Sequence, residues 1–152
     1  MDKISKEKRG EVMRAIRGKD TKIEIAFRTA LWKLGTRYRK NSGKFYGRPD
    51  IVNEKRRVVV FLDSCFWHGC SLHCRMPKSH LDFWRGKIKR NKKRDALVNK
   101  FYKERDWTCV RIWEHDIINK NDFKKTIKKV SGLFSKGQLT SNATLGIDPN
   151  LA

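Results

Sequence analysis

Five consecutive apolar residues, Val58-Val59-Val60-Phe61-Leu62, stand in a 152-residue chain of which 35% is charged. A β-branched run of this kind has no polar face, so it reads as a strand buried on both sides. Such a strand needs sheet neighbours and a covering layer above and below. Asp50 to Asn53 supplies a short strand before it, through the turn-forming Asn53-Glu54-Lys55-Arg56, and Cys109-Val110-Arg111-Ile112-Trp113 supplies another. The spacing of Ile23, Phe27, Ala30, Leu31 and Leu34 predicts a helix. Asp20 or Thr21 can cap it and Gly35 stops it. A long basic helix is predicted from Ser79 to about Glu104, with Phe83, Ile88, Leu97 and Phe101 on or near its buried side. A last helix, capped by Asn121, turns Phe123, Ile127, Val130 and Phe134 inward. Residues 64–78 stay irregular. The order α-β-β-loop-α-β-α predicts one α/β domain over residues 19–135, a small mixed β-sheet flanked by helices. Residues 1–18 read as a basic N-terminal arm, and residues 136–152 as a polar tail expected to be disordered.

Charge narrows the function. Lys and Arg number 37 against 16 Asp and Glu, a formal charge of +21. Self-repulsion of that size destabilises a small fold unless a polyanion compensates. Residues 1–48 hold 15 basic and 5 acidic side chains, and residues 75–105 hold 12 and 3. Residues 49–74, between them, hold 3 of each. A neutral centre flanked by basic segments is the layout of a site presented to a phosphate backbone. No apolar run approaches the ~20 residues of a membrane span, so no membrane partner is expected. MDKISKEKRG has no apolar signal region. A cytoplasmic, reducing compartment is expected, where the four Cys are metal ligands or thiols and not disulfides.

The neutral centre carries the candidate chemistry. Cys65-x4-Cys70-x2-His73-Cys74 places four soft or borderline ligands within ten residues. His115 can return to them from beyond the strand at 109–113. Zinc takes four such ligands, and an irregular loop inside a compact domain needs a clamp. The expected zinc set is Cys65, Cys70, His73 and His115, with Cys74 as the alternative to His73 and Cys109 in the core. Asp50 opens one strand and Asp63 closes the next, so a hairpin brings two carboxylates together. Nucleases hold hydrated Mg²⁺ in this way. Glu24, near the start of a helix, can reach the same pocket. His68, in Cys65-Phe66-Trp67-His68-Gly69-Cys70, suits a general base at neutral pH, with a zinc ligand as its alternative role.

In sequence order, the motifs Asp20-Thr21 with Glu24, Gly47-Arg48-Pro49-Asp50, Cys65-Phe66-Trp67-His68-Gly69-Cys70, Phe83-Trp84 with Lys87-Ile88 and Asn91, Arg94-Asp95, Trp107 and Trp113-Glu114-His115 closely resemble the very short patch repair (Vsr-type) endonucleases. The resemblance covers residues 8–117. It implies a restriction-endonuclease-like core of the PD-(D/E)XK type, with a structural Zn²⁺ and a catalytic Mg²⁺. It implies nicking of double-stranded DNA 5′ to the mismatched T of a T:G pair, by one copy on the DNA, with mismatch-repair proteins as possible partners and a nucleoid-associated location. Asp50 is then the Mg²⁺ ligand together with the backbone carbonyl of Leu62. His68 activates water, and Glu24 holds metal-bound water. Phe66, Trp67 and Trp84 match aromatics that wedge beside the mismatch from the major groove, and Met13 matches an apolar wedge from the minor groove. Arg14, Lys87, Asn91 and Arg94 are the further DNA-contacting residues. Two departures stand out. Asp63 occupies a position where the best-studied members have His, and Cys-x4-Cys-x2-His replaces a more His-rich loop. The competing readings are a nuclease of this fold with another mismatch or a restriction-type specificity, and a non-catalytic module that binds distorted DNA.

Overall fold

The computed structural model describes residues 20–135, together with Lys8 and Glu11. Met13, Arg14 and the tail at 136–152 lie outside the described residues. Helix α1 (Lys22–Lys33) is followed by strands β1 (Arg39–Lys40), β2 (Ile51–Asn53) and β3 (Val58–Asp63). After an irregular loop come helix α2 (Leu81–Lys103), strand β4 (Thr108–Trp113) and helices α3 (Glu114–Ile118) and α4 (Lys120–Ser135). The sheet order is β1-β2-β3-β4. The β1–β2 and β2–β3 pairs are antiparallel and β3–β4 is parallel, with Val60 opposite both Ile51 and Val110.

Alternation along β3 explains its unbroken apolar run. Val58 and Val60 join Phe27, Leu31, Ile51, Val110, Ile112, Ile117, Ile127, Val130 and Phe134 in one cluster, under α1, α3 and α4. Val59 and Phe61 face the other way, onto Val52 and onto Val98 and Tyr102 of α2. The mixed sheet is therefore covered on both faces, as the strand's composition requires.

The N-terminus of α1 is a capping box. Thr21 accepts from the Glu24 backbone N–H at 3.3 Å and donates its hydroxyl to Glu24 Oε1 at 2.9 Å. Glu24 Oε2 accepts the Asp20 N–H at 2.8 Å. Thr21 is thus the cap residue, and Gly35, at φ +80°, follows the helix end.

Several expectations need correction. Asn119, and not Asn121, caps the last helix: its side-chain oxygen accepts the N–H groups of Asn121 and Asp122. The short strand β1 and helix α3 are additional elements, too short to show a period. The inward face of α2 is also rotated from the predicted one. Ile88, Asp95, Val98 and Tyr102 are buried, while Phe83 and Leu97 are at least half exposed. An acid replaces an apolar residue on that face because it has buried partners.

Candidate active site

The candidate side chains gather at one end of the sheet. Antiparallel pairing of β2 and β3 puts the start of one strand beside the end of the other, and parallel pairing brings the end of β4 to the same edge. Asp50, just before β2, accepts the Leu62 N–H on Oδ2 at 2.8 Å. Burial pushes its carboxyl up to about 6, against the pull of the Leu62 N–H and of Arg28. The nearby charges of Glu24 and Asp63 push it the same way as burial. A buried carboxylate among other acids suits a hard divalent cation, which would relieve both desolvation and repulsion. The residues present therefore fit Mg²⁺.

Glu24 is buried, and both of its oxygens serve the cap of α1. Arg28, one turn on, is 6% exposed and pairs with Asp20. Its Nη1 lies 3.8 Å from Glu24 Oε2 and has no hydrogen-bond partner among the described residues.

His68 stands on the loop after β3. Its Nδ1 lies 2.6 Å from Asp95 Oδ2 on α2 and 3.5 Å from Asp63 Oδ1. With Nδ1–H donated to Asp95, the ring's lone pair sits on Nε2. Asp95 is buried, yet its carboxyl is held below the usual range. The hydrogen bond with His68 and the Arg111 charge outweigh desolvation. Asp63 is 3% exposed and is gripped by Arg111 through both oxygens, at 2.8 and 2.6 Å. The hairpin does bring Asp63 near Asp50, but its carboxylate is engaged by a guanidinium that the sequence analysis did not assign to the site.

The candidate metal-ligand residues assemble next to this edge. Ligand atoms of Cys65, Cys70, His73 and His115 all lie within 4.8 Å of one another. Cys65 Sγ is 3.2 Å from His115 Nδ1, and Cys70 Sγ is 3.7 Å from His73 Nδ1 and 3.8 Å from His115 Nδ1. A tetrahedral zinc site with ordinary bond lengths places sulfur and nitrogen ~3.5 Å apart. Donor type and spacing therefore fit zinc. Cys74 points instead to the Phe66 carbonyl, at 3.7 Å. Glu114 closes the loop by accepting the Cys65 N–H and the Ser64 hydroxyl. Gly69, at φ +64°, lies so close to α2 that a Cβ would meet Ile88 Cγ2 at 2.6 Å.

The aromatics form one surface group. Ring centroids of Phe66 and Trp67 are 4.9 Å apart, and those of Phe66 and Trp84 are 5.4 Å apart. All three are half-buried, and Lys87 Nζ lies 4.7 Å from the Trp67 ring centre. Asn91 donates to the Trp67 carbonyl at 2.8 Å, so it holds the loop to α2. Arg94 is exposed on the same helix. Among the described residues, no helix is long and apolar enough to cross a membrane.

Sequence reasoning gave no role to Asp95, Asn99, Arg111 or Arg28. The available signal was an acid on the helical stripe Ile88–Asp95–Val98–Tyr102 and an arginine at the centre of an apolar strand. The period places each beside apolar neighbours, and what pairs it comes from packing.

Comparison with known proteins gives the chain a family. Residues 1–75 match the family described as DNA mismatch endonuclease Vsr. The chain is 41% identical over 120 residues to the type II nicking enzyme V.NmeDIP of Neisseria meningitidis serogroup C, covering 78% of this chain and 81% of that one. It is 43% identical over 113 residues to the type II nicking enzyme V.NaeI of Lentzea aerocolonigenes, covering 71% and 68%. It is 34% identical over 116 residues to the DNA mismatch endonuclease Vsr of Escherichia coli strain K12, covering 74% and 73%. Identity at this level over most of both chains means that this protein belongs to the Vsr family and is an endonuclease acting on DNA.

Proposed function

We propose that the protein is a Mg²⁺-dependent mismatch endonuclease that nicks double-stranded DNA 5′ to the mismatched T of a T:G pair. The observation that carries the reading is one shared edge of the sheet. Asp63 connects Asp50 with the His68–Asp95 pair: its charge raises the Asp50 carboxyl, and its Oδ1 lies 3.5 Å from the His68 Nδ1 that meets Asp95. The relatives named nicking enzymes and mismatch endonuclease support the reaction class.

Asp50 and the Leu62 carbonyl would hold Mg²⁺, with Glu24 beside them. When bound, the ion supplies positive charge at the scissile phosphate and makes a coordinated water more acidic. His68 takes the proton of the attacking water at Nε2, because Asp95 occupies Nδ1. The restriction-endonuclease-like core of the PD-(D/E)XK type gives these groups a rigid strand edge. Cys65, Cys70, His73 and His115 hold a structural zinc that fixes the loop bearing His68, Phe66 and Trp67. Basic residues such as Lys87 and Arg94 face the phosphates. Met13, assigned to the minor groove, and Arg14, assigned to DNA contact, lie outside the described residues.

Cleavage of labelled duplexes carrying T:G, other mismatches or only matched pairs tests the assignment, with Mg²⁺ added or withheld. A nick in the T strand alone, 5′ to the T, only at T:G and only with Mg²⁺, is the expected result. Equal cutting of matched DNA, or cutting of both strands, would point to a restriction-type specificity.

The aromatic group predicts how selectivity fails. Inserted rings separate base steps at a cost of a few kcal/mol, least at a mispair. Trp67→Ala should therefore reduce the T:G to T:A cleavage ratio by roughly 10- to 100-fold, as loss of ~1–3 kcal/mol of stacking implies. Equal losses on both duplexes, in a folded and zinc-loaded protein, would make Trp67 scaffold.

A further inference from the structure

Arg111 lies at the centre of β4, opposite Phe61 of β3 in the parallel register, and its guanidinium carbon sits 4.7 Å from the Phe61 ring centre. The group is largely but not fully buried, with its side chain 11% exposed. Every face of its fork is used. Nη1 donates to both oxygens of Asp63, Nη2 to Asp95 Oδ1 at 3.1 Å, and Nε to Asn99 Oδ1 at 2.9 Å. Asp95 and Asn99 are one turn apart on α2, so the fork spans from the sheet to that helix. The remaining oxygen of Asp95 meets His68 Nδ1 at 2.6 Å, and Asp63 Oδ1 approaches the same nitrogen at 3.5 Å. Both carboxylates that face the His68 ring are therefore fixed by one guanidinium.

A buried ion pair is poor value as a stabiliser, since well-packed apolar residues often serve as well or better. What the fork does supply is geometry. It has planar donors at fixed angles, which a lysine ammonium lacks. We propose that Arg111 is the positioning residue of the catalytic site. It clamps Asp63 and Asp95 together and thereby sets the direction in which Asp95 holds His68, aiming Nε2 at the attacking water. Asp63 then belongs to this clamp and not to the Mg²⁺ site. The inference rests on the reading of His68 as the general base.

The test uses the full-length, zinc-loaded protein with Arg111→Met, Arg111→Lys, His68→Ala and the His68→Ala/Arg111→Met double variant. Single-turnover nicking and binding are measured on a T:G duplex. Arg111→Met should bind with near-unchanged affinity and nick ~10²-fold more slowly, the scale of a misaimed catalytic group. Arg111→Lys should not restore the rate. Adding Arg111→Met to His68→Ala should cost nothing further, because residues acting through one group are not additive. In the zinc-loaded protein without Mg²⁺, the downfield imidazole N–H proton signal of His68 should be present in the parent and lost in Arg111→Met. If leaving two buried acids unpaired prevents folding, Asp63→Asn/Arg111→Met removes both charges of the tighter pair and should fold yet stay slow. A wild-type rate in either Arg111→Met protein overturns the clamp, as does a loss that adds in full to that of His68→Ala. A His68→Ala protein that nicks normally removes the base assignment and the clamp with it. A slow His68→Ala beside a fast Arg111→Met removes the clamp alone.

Discussion

Asp50→Asn is expected to abolish nicking and, at neutral pH, to make the Mg²⁺-free protein more stable. The first effect follows from losing the carboxylate proposed to hold the ion, with a fall in rate of at least ~10³-fold expected from removing such charge stabilisation. The second follows from the environment of Asp50. Its carboxyl titrates near 6 in the folded chain, chiefly because it is buried, against ~3.9 in an unfolded one. Below about pH 4 both states carry the proton, and the acid adds no penalty. Between pH 4 and 6 the unfolded chain releases the proton first, so ionisation increasingly favours unfolding. Above about pH 6 the penalty is complete, on the order of 2–3 kcal/mol. Asn keeps an oxygen to accept the Leu62 N–H and carries no charge. Thermal melting of the zinc-loaded variant should therefore show a gain at pH 7.5 that disappears near pH 4. An Asp50→Asn protein that nicks at an ordinary rate in Mg²⁺ would remove Asp50 from the site. One with the same gain at both pH values would show that the buried charge is not the cause.

The second large effect belongs to the Cys/His group. Three of its members stand on the irregular loop after β3 and the fourth, His115, on α3 beyond β4. Zinc held there ties the loop to a separate part of the chain. Cys70→Ser should lose the metal, lower the melting temperature and abolish nicking. A structural zinc contributes folding free energy directly, ~10–16 kcal/mol in small peptides that depend on it wholly. This fold has its own two-sided core, so a loss of several kcal/mol is expected, comparable to the ~5–15 kcal/mol margin of a typical domain. Removing the metal from the parent protein should do the same. Zinc should reverse the loss, and Mg²⁺ should not. Metal analysis and melting curves decide it: a Cys70→Ser protein that melts like the parent would mean the loop is held without the ion.

The sequence by itself determined the elements whose reason is local. Val58 to Leu62 had to be an interior strand, because a run without a polar side cannot face water. Asp20-Thr21 marked the start of α1, with Thr21 the cap in the structure, and Gly35 marked its end. The loop motif offered Cys65, Cys70 and His73 with His115 beyond the next strand, Cys74 being the alternative to His73, and it is the His73 set whose ligand atoms lie together. Only the tertiary structure decided the polar framework beneath the site. Asp95 and Arg111 are charged, and a charged residue on a helix or strand is ordinarily exposed, so nothing local marks them as buried. Their burial follows from partners far along the chain, His68 and Asp63 across the sheet edge and Asn99 on α2. The rotation of α2 has the same origin: it turns Asp95 inward and leaves Phe83 and Leu97 outside. A charge can be buried only where opposite charge and hydrogen bonds offset its desolvation. Such partners are a property of packing, which no local period encodes.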